Sequence, residues 1–179
     1  SGTQKCLSAP PGISLITFSD KAAAQVKARN TPVQSWFLDL SLLMAYWEGD
    51  GARTYHHTAP VNAMYGLHEA LLMVKEEGLE NAWHKHRVMH EVLVENLNGI
   101  GLEFVVDASY RLPQLNLVKI PEGVDEAAVR KRLLSEFNLE IGAGLGAFAG
   151  KVWRIGLMGY SARHENIQLC TSALKHCMS

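Results

Sequence analysis

Apolar residues recur along this chain at two spacings, and the change of spacing near residue 100 divides it. Val61, Met64, Tyr65, Leu67, Leu71, Leu72 and Val74 keep the 3.6-residue period of a helix over residues 58–77. Pro60 falls in its first turn, where a missing N–H breaks no helical bond. Gly78 stops that run. Leu79, Trp83, Val88, Val92 and Leu93 then line one side of a second helix over residues 79–97, which Asn98-Gly99-Ile100-Gly101 ends. Nearer the start, Pro10-Pro11-Gly12 reads as a turn and residues 13–18 as a β-rich strand. A short helix over residues 21–28 is expected behind Ser19 or Asp20 as N-cap, closed by Asn30-Thr31-Pro32. The apolar stretch 35–47 reads as a further helix, ended by Gly49-Asp50-Gly51.

Beyond residue 100 the texture turns to short alternating elements. Residues 103–106, 114–120, 139–141 and 152–157 read as strands. Residues 125–137 (Asp125 as cap) and 163–176 read as helices. The order β-β-α-β-β-α predicts a small α+β unit with its helices on one face of an antiparallel sheet. That unit reads as complete over residues 102–179, with residues 79–101 expected as a connecting helix. Residues 1–78, one strand and several helices, read as the end of a larger α/β domain.

Composition narrows the partners. The chain of 179 residues carries a net charge of −1, with 47% hydrophobic and 20% charged residues. Nothing in that balance points to nucleic acid or to an anionic membrane surface. The apolar run 38–46 contains Asp39 and falls short of the ~20 residues that span a bilayer. Cys6, Cys170 and Cys177 are odd in number and follow no metal-ligand spacing, which predicts reduced thiols in a soluble intracellular protein. With no methionine and no signal peptide at its start, the chain reads as cut rather than initiated.

Four places carry candidate chemistry. Lys5 sits between a small polar end and a rigid turn; a lysine held there can lose its proton and attack a carbonyl, although most lysines are solvated surface charges. Tyr55-His56-His57-Thr58 places two hydroxyls and two imidazoles just before a helix N-terminus, a setting that favours an anion and equally suits a capping Thr58. Arg154 lies inside the apolar strand VWRIGL, where a guanidinium needs either a structural carboxylate or a substrate carboxylate. The stretch GLGAFAG, residues 144–150, lacks the ending of a P-loop and reads as a close-approach loop. Gln4 either packs beside a ligand or stabilises a turn. His84, His86 and His90, among Lys85 and Arg87, read as a solvated helix face, and no metal site is expected. Trp36, Trp47, Trp83 and Trp153 read as core or interface aromatics.

SGTQKCLSAPPGISLITFS resembles the lysine segment of the class V, fold-type I, pyridoxal-phosphate aminotransferases, and within them the alanine–glyoxylate and serine–pyruvate enzymes. RTYHHTAPVNAMYGLHEAL, GLENAWHKHR, YRLPQLNLVKIPEGVD and GAGLGAFAGKVWRIGLMG resemble further stretches of that family, in order. The resemblance implies that Lys5 bonds pyridoxal 5'-phosphate as a Schiff base. It implies that Tyr55 and Thr58 reach the cofactor phosphate of the other subunit of a homodimer, that Gln4 lies near the cofactor, and that Arg154 holds the α-carboxylate of the amino acid. The implied reaction moves an amino group from alanine or serine to glyoxylate or pyruvate. Related class V activities (hydroxykynurenine or ureidoglycine transamination, or a lyase) and a non-catalytic α+β dimerisation module are the alternatives. In the family, the pyridine-nitrogen aspartate, the main phosphate loop and the ring-stacking aromatic precede the lysine. The 179 residues are therefore expected to be an incomplete enzyme that binds cofactor poorly by itself. The final HCMS is not a Ser-Lys-Leu-type address, and peroxisome, mitochondrion and cytosol stay open.

Overall fold

The computed structural model describes residues 2–48 and 54–179; Ser1 and the expected stop at Gly49-Asp50-Gly51 lie outside the described residues. Six α-helices and three strands follow one another as α1 (Asp20–Lys27), α2 (Leu40–Glu48), α3 (Val61–Glu77), α4 (Leu79–Gly99), β1 (Leu115–Lys119), α5 (Glu126–Phe137), β2 (Gly142–Ala143), β3 (Val152–Gly156) and α6 (His164–Met178).

The strands form an antiparallel sheet in the order β1-β3-β2, with Leu117 opposite Arg154, Val118 opposite Trp153, and Gly142 also opposite Arg154. Side chains alternate across a strand, so Trp153 and Ile155 point to one face and Arg154 to the other. Trp153, fully buried, packs in one core with Val118, Leu93, Leu133, Ile167 and Leu174. Helices α4, α5 and α6 supply that core, and each fully buried Leu or Ile contributes about 1.5–3 kcal/mol. Burial also raises the Cys170 thiol to about 12, and Cys6, Cys170 and Cys177 are all free.

Local chemistry sets the element ends. Ser19 caps α1 by accepting from the Ala22 N–H, and the Asp125 carboxylate accepts from the Ala127 and Ala128 amides at the start of α5. Three expected strands come out differently. Residues 13–18 form no strand: among the described residues Ser14 makes an isolated bridge to Gly2, and none of β1, β2 and β3 pairs with this segment. Residues 103–106 reduce to a bridge between Phe104 and Val118, because the Val106 carbonyl accepts from Arg111 Nε and Asp107 begins a turn. The strand expected at 139–141 begins instead at Gly142. Asn138, left-handed at φ 51°, and the Leu139 amide bonded to the Leu133 carbonyl are used up in capping α5.

The apolar run expected as one helix over 35–47 is helical only from Leu40. Ser35 closes a turn on Leu38, and the Asp39 carboxylate accepts from the Ser41 amide and hydroxyl. Helices α1 and α2 bury no residue, α3 buries only Leu67 and Ala70, and Trp36, Trp47 and Trp83 are exposed. No helix among the described residues is long and apolar enough to cross a membrane.

Candidate active site

The Lys5 segment is a loop tied at its base. Thr3, 1% exposed, donates its hydroxyl to the Pro10 carbonyl at 2.6 Å, and the Ala9 N–H returns to the Thr3 carbonyl at 3.1 Å. Inside that frame the Ser8 N–H donates to the Lys5 carbonyl at 2.9 Å, closing a turn over residues 5–8. Lys5, Gln4 and Cys6 are exposed at its tip, and Lys5 makes no ion pair among the described residues. Its amine is thus carried by an ordered backbone and left unclaimed.

That turn rests on the residues that follow β3. Gly159, at φ 54°, lies so close that a β-carbon there would stand 2.2 Å from Ser8 Oγ and 2.4 Å from the Cys6 carbonyl oxygen. Its N–H donates to His86 Nε2 at 2.9 Å, and His86 Nδ1 donates to the Ala82 carbonyl at 2.6 Å. The neighbouring Tyr160 N–H donates to Ser8 Oγ at 2.9 Å, and the Arg163 guanidinium lies 3.3 Å from the Tyr160 ring centre. His86 is therefore buried, not on the solvated face expected of it; His84 on the same helix is exposed. His90, half-buried, sits below the ordinary histidine value chiefly because burial penalises its charge; Arg111 acts the same way, and Asn116 and Glu91 oppose.

A hollow of about 680 Å³ opens between this turn, α3 and α4, lined among others by Ser8, Pro10, Met73, Trp83 and Gln114. Neither Lys5 nor Arg154 lines it.

Arg154 occupies the central strand, on the sheet face opposite the Trp153 core. Its Nε donates to the Ala143 carbonyl at 2.7 Å, and no carboxylate pairs with it among the described residues. The structural salt bridge weighed for it is absent there, which leaves the terminal nitrogens for another acceptor. The glycine-rich stretch is a close-approach loop: a β-carbon on Gly144 would fall 2.0 Å from the Phe148 carbonyl oxygen.

The Tyr55 and Thr58 hydroxyls, both exposed, bond each other, so Thr58 does not cap α3 with its side chain. His56 is buried, with Nε2 at 2.8 Å from the Trp36 carbonyl, its ring edge-on to Trp36, and Nδ1 without a hydrogen-bond partner among the described residues. His57 stacks on Phe37 at 4.6 Å. Gln4 folds back over Gly2. Tyr55 and Thr58 are thus joined directly, while no hydrogen bond or ion pair among the described residues links them, Lys5 and Arg154 to one another. Among the described residues no group of three His, Cys, Asp or Glu side chains is placed to hold a metal ion.

Ser8 and Gly159 carry no sequence pattern that marks them for this place, and His86 has the pattern of a solvated residue. Gly159, a glycine just past a buried strand, was the one available hint; a histidine meeting an amide 73 residues away leaves no local trace.

This arrangement is the fold of known aminotransferases. The chain superposes on the alanine–glyoxylate aminotransferase of Nostoc sp. with a TM-score of 0.94 at 47% identity, covering 99% of this chain and 47% of that one. Residues 1–169 match the family described as aminotransferase class V, and the chain belongs to that family. It is 45% identical over 180 residues to the alanine–glyoxylate aminotransferase of Callithrix jacchus, covering 99% of this chain and 44% of that protein. It is 38% identical over 192 residues to the (S)-ureidoglycine–glyoxylate transaminase of Bacillus subtilis, covering 97% of this chain and 46% of that one. The chain therefore spans a little under half the length of these relatives.

Proposed function

We propose that these residues form the lysine-bearing part of a pyridoxal-phosphate-dependent transaminase that moves an amino group from alanine or serine to glyoxylate or pyruvate. The observation that carries this is Lys5: an exposed amine without an ion pair among the described residues, on a turn tied by hydrogen bonds at both ends. Glyoxylate is favoured as acceptor because both relatives' names contain it.

The residues fit the cofactor. Lys5 would hold it through its amine, Gln4 lies one residue away, and the adjoining Tyr55 and Thr58 hydroxyls would meet a phosphate brought by a second copy of the chain in a homodimer. When bound, pyridoxal phosphate supplies the electron sink for charge left on the substrate Cα. Lys5 Nζ, once released, would carry the proton to and from that carbon. Arg154, anchored at Nε by the Ala143 carbonyl, would present its terminal nitrogens to the substrate carboxylate and set the Cα–H direction. Residues 1–78 then belong to the large cofactor domain, 79–101 to the connecting helix and 102–179 to the small domain.

The test is made on the full-length protein with added pyridoxal phosphate, following pyruvate formed from alanine and glyoxylate. Lys5→Ala is expected to abolish turnover. Arg154→Lys is expected to lower kcat/KM by about 10- to 100-fold, the worth of a charge-assisted bidentate contact. Turnover retained in Lys5→Ala would overturn the reading.

A further inference from the structure

Two side chains outside the proposed chemistry converge on adjacent amides beside the lysine turn. His86 Nε2 accepts the Gly159 N–H and Ser8 Oγ accepts the Tyr160 N–H, each at 2.9 Å. We propose that His86 and Ser8 are positioning residues for Lys5. Together they lock the lysine turn onto the segment that leaves the Arg154 strand, and so set the amine against the carboxylate fork. This rests on reading Lys5 as the cofactor lysine and Arg154 as the fork.

The geometry is specific at each link. Ser8 sits at φ 55°, a conformation that costs a non-glycine residue on the order of 1 kcal/mol, and its hydroxyl bond to Tyr160 opposes that cost. The same residue donates its own N–H to the Lys5 carbonyl, so the clamp is three residues from the amine and shares a turn with it. Gly159 must lack a β-carbon to let its backbone touch Cys6, the residue next to Lys5. His86 accepts at Nε2, which puts its proton on Nδ1, and that N–H donates to the Ala82 carbonyl at 2.6 Å. The ring is buried and held one way round, so it fixes Gly159 to helix α4 rather than following it. Four residues of chain separate Gly159 from Arg154, and β3 is paired on both edges, so the span has little slack.

The experiment reads backbone hydrogen exchange, residue by residue, in the full-length protein without cofactor. His86→Phe removes one acceptor; Ser8→Gly removes the other while tolerating the positive φ. In His86→Phe the Ser8 and Ala9 amides, far from the substitution in sequence, are expected to exchange roughly 5- to 30-fold faster, the effect of losing one buried hydrogen bond. In Ser8→Gly the Gly159 amide, whose own acceptor is intact, is expected to speed up by a similar factor. Should His86→Phe fail to fold, Ser8→Gly decides alone, since Ser8 is exposed. Unchanged exchange at Ser8 and Ala9 in folded His86→Phe, or at Gly159 in Ser8→Gly, overturns the proposal. With pyridoxal phosphate added, both variants are expected to lose kcat while KM for the amino donor holds. A protein that takes up no cofactor at Lys5 would refute the transaminase reading, and the exchange data would still decide whether the clamp exists.

Discussion

Gly142 and Arg154 stand opposite each other across the β2–β3 ladder, and a β-carbon on Gly142 would come within 3.1 Å of Arg154 Nη2. The guanidinium therefore lies over a bare stretch of backbone, held at Nε by the next carbonyl, that of Ala143. An arginine so placed is constrained in position before any acceptor arrives.

Gly142→Val tests that relationship. The added side chain would displace the terminal nitrogens while leaving Arg154 in place chemically. With Arg154 as the proposed carboxylate fork, KM for the amino acid is expected to rise by about tenfold with kcat changed less, because one charged contact of about 1.5–3 kcal/mol would be misdirected rather than removed. Steady-state kinetics of the full-length protein measure it.

Gly159 and Gly123 separate crowding from backbone strain. Both have positive φ, 54° and 79°, yet a β-carbon on Gly123 meets nothing within 4 Å while one on Gly159 collides with Cys6 and Ser8. Gly123→Ala is expected to cost about 1 kcal/mol and Gly159→Ala about 2–4 kcal/mol, read from urea midpoints. Equal costs would mean that the lysine turn yields freely.

His90 gives the stability a pH dependence with a defined sign. Its folded value lies below 6.5 because burial disfavours the charged ring. Below that pH the unfolded chain binds the proton that the folded chain resists, so stability falls on acidification and is fully present above it. His90→Gln is expected to flatten the change in urea midpoint between about pH 7.5 and pH 5.5. Carboxylates such as Glu103 and Asp107, whose values are lowered mainly by hydrogen bonds from Lys119 and Ser109, act at more acid pH.

Much of this protein was written locally. The helical periods, the Ser19 and Asp125 caps and the stop at Gly78 needed only neighbouring residues, and helices α3, α4 and α5 appear within a few positions of expectation. Lys5 and Arg154 stand out as candidates because a lysine beside a rigid turn and an arginine in an apolar strand are each odd where they stand, while the roles proposed for them come from the resemblance of their segments to class V aminotransferases. What only the tertiary structure decided depends on partners distant in the chain. Residues 13–18 have strand composition, but a ladder requires a second strand, and among the described residues Ser14 makes an isolated bridge to Gly2. His86 has the sequence surroundings of a solvated residue. It is buried because the Gly159 amide, 73 residues away, needs an acceptor there, and only packing α4 against the β3–α6 connection brings the two together.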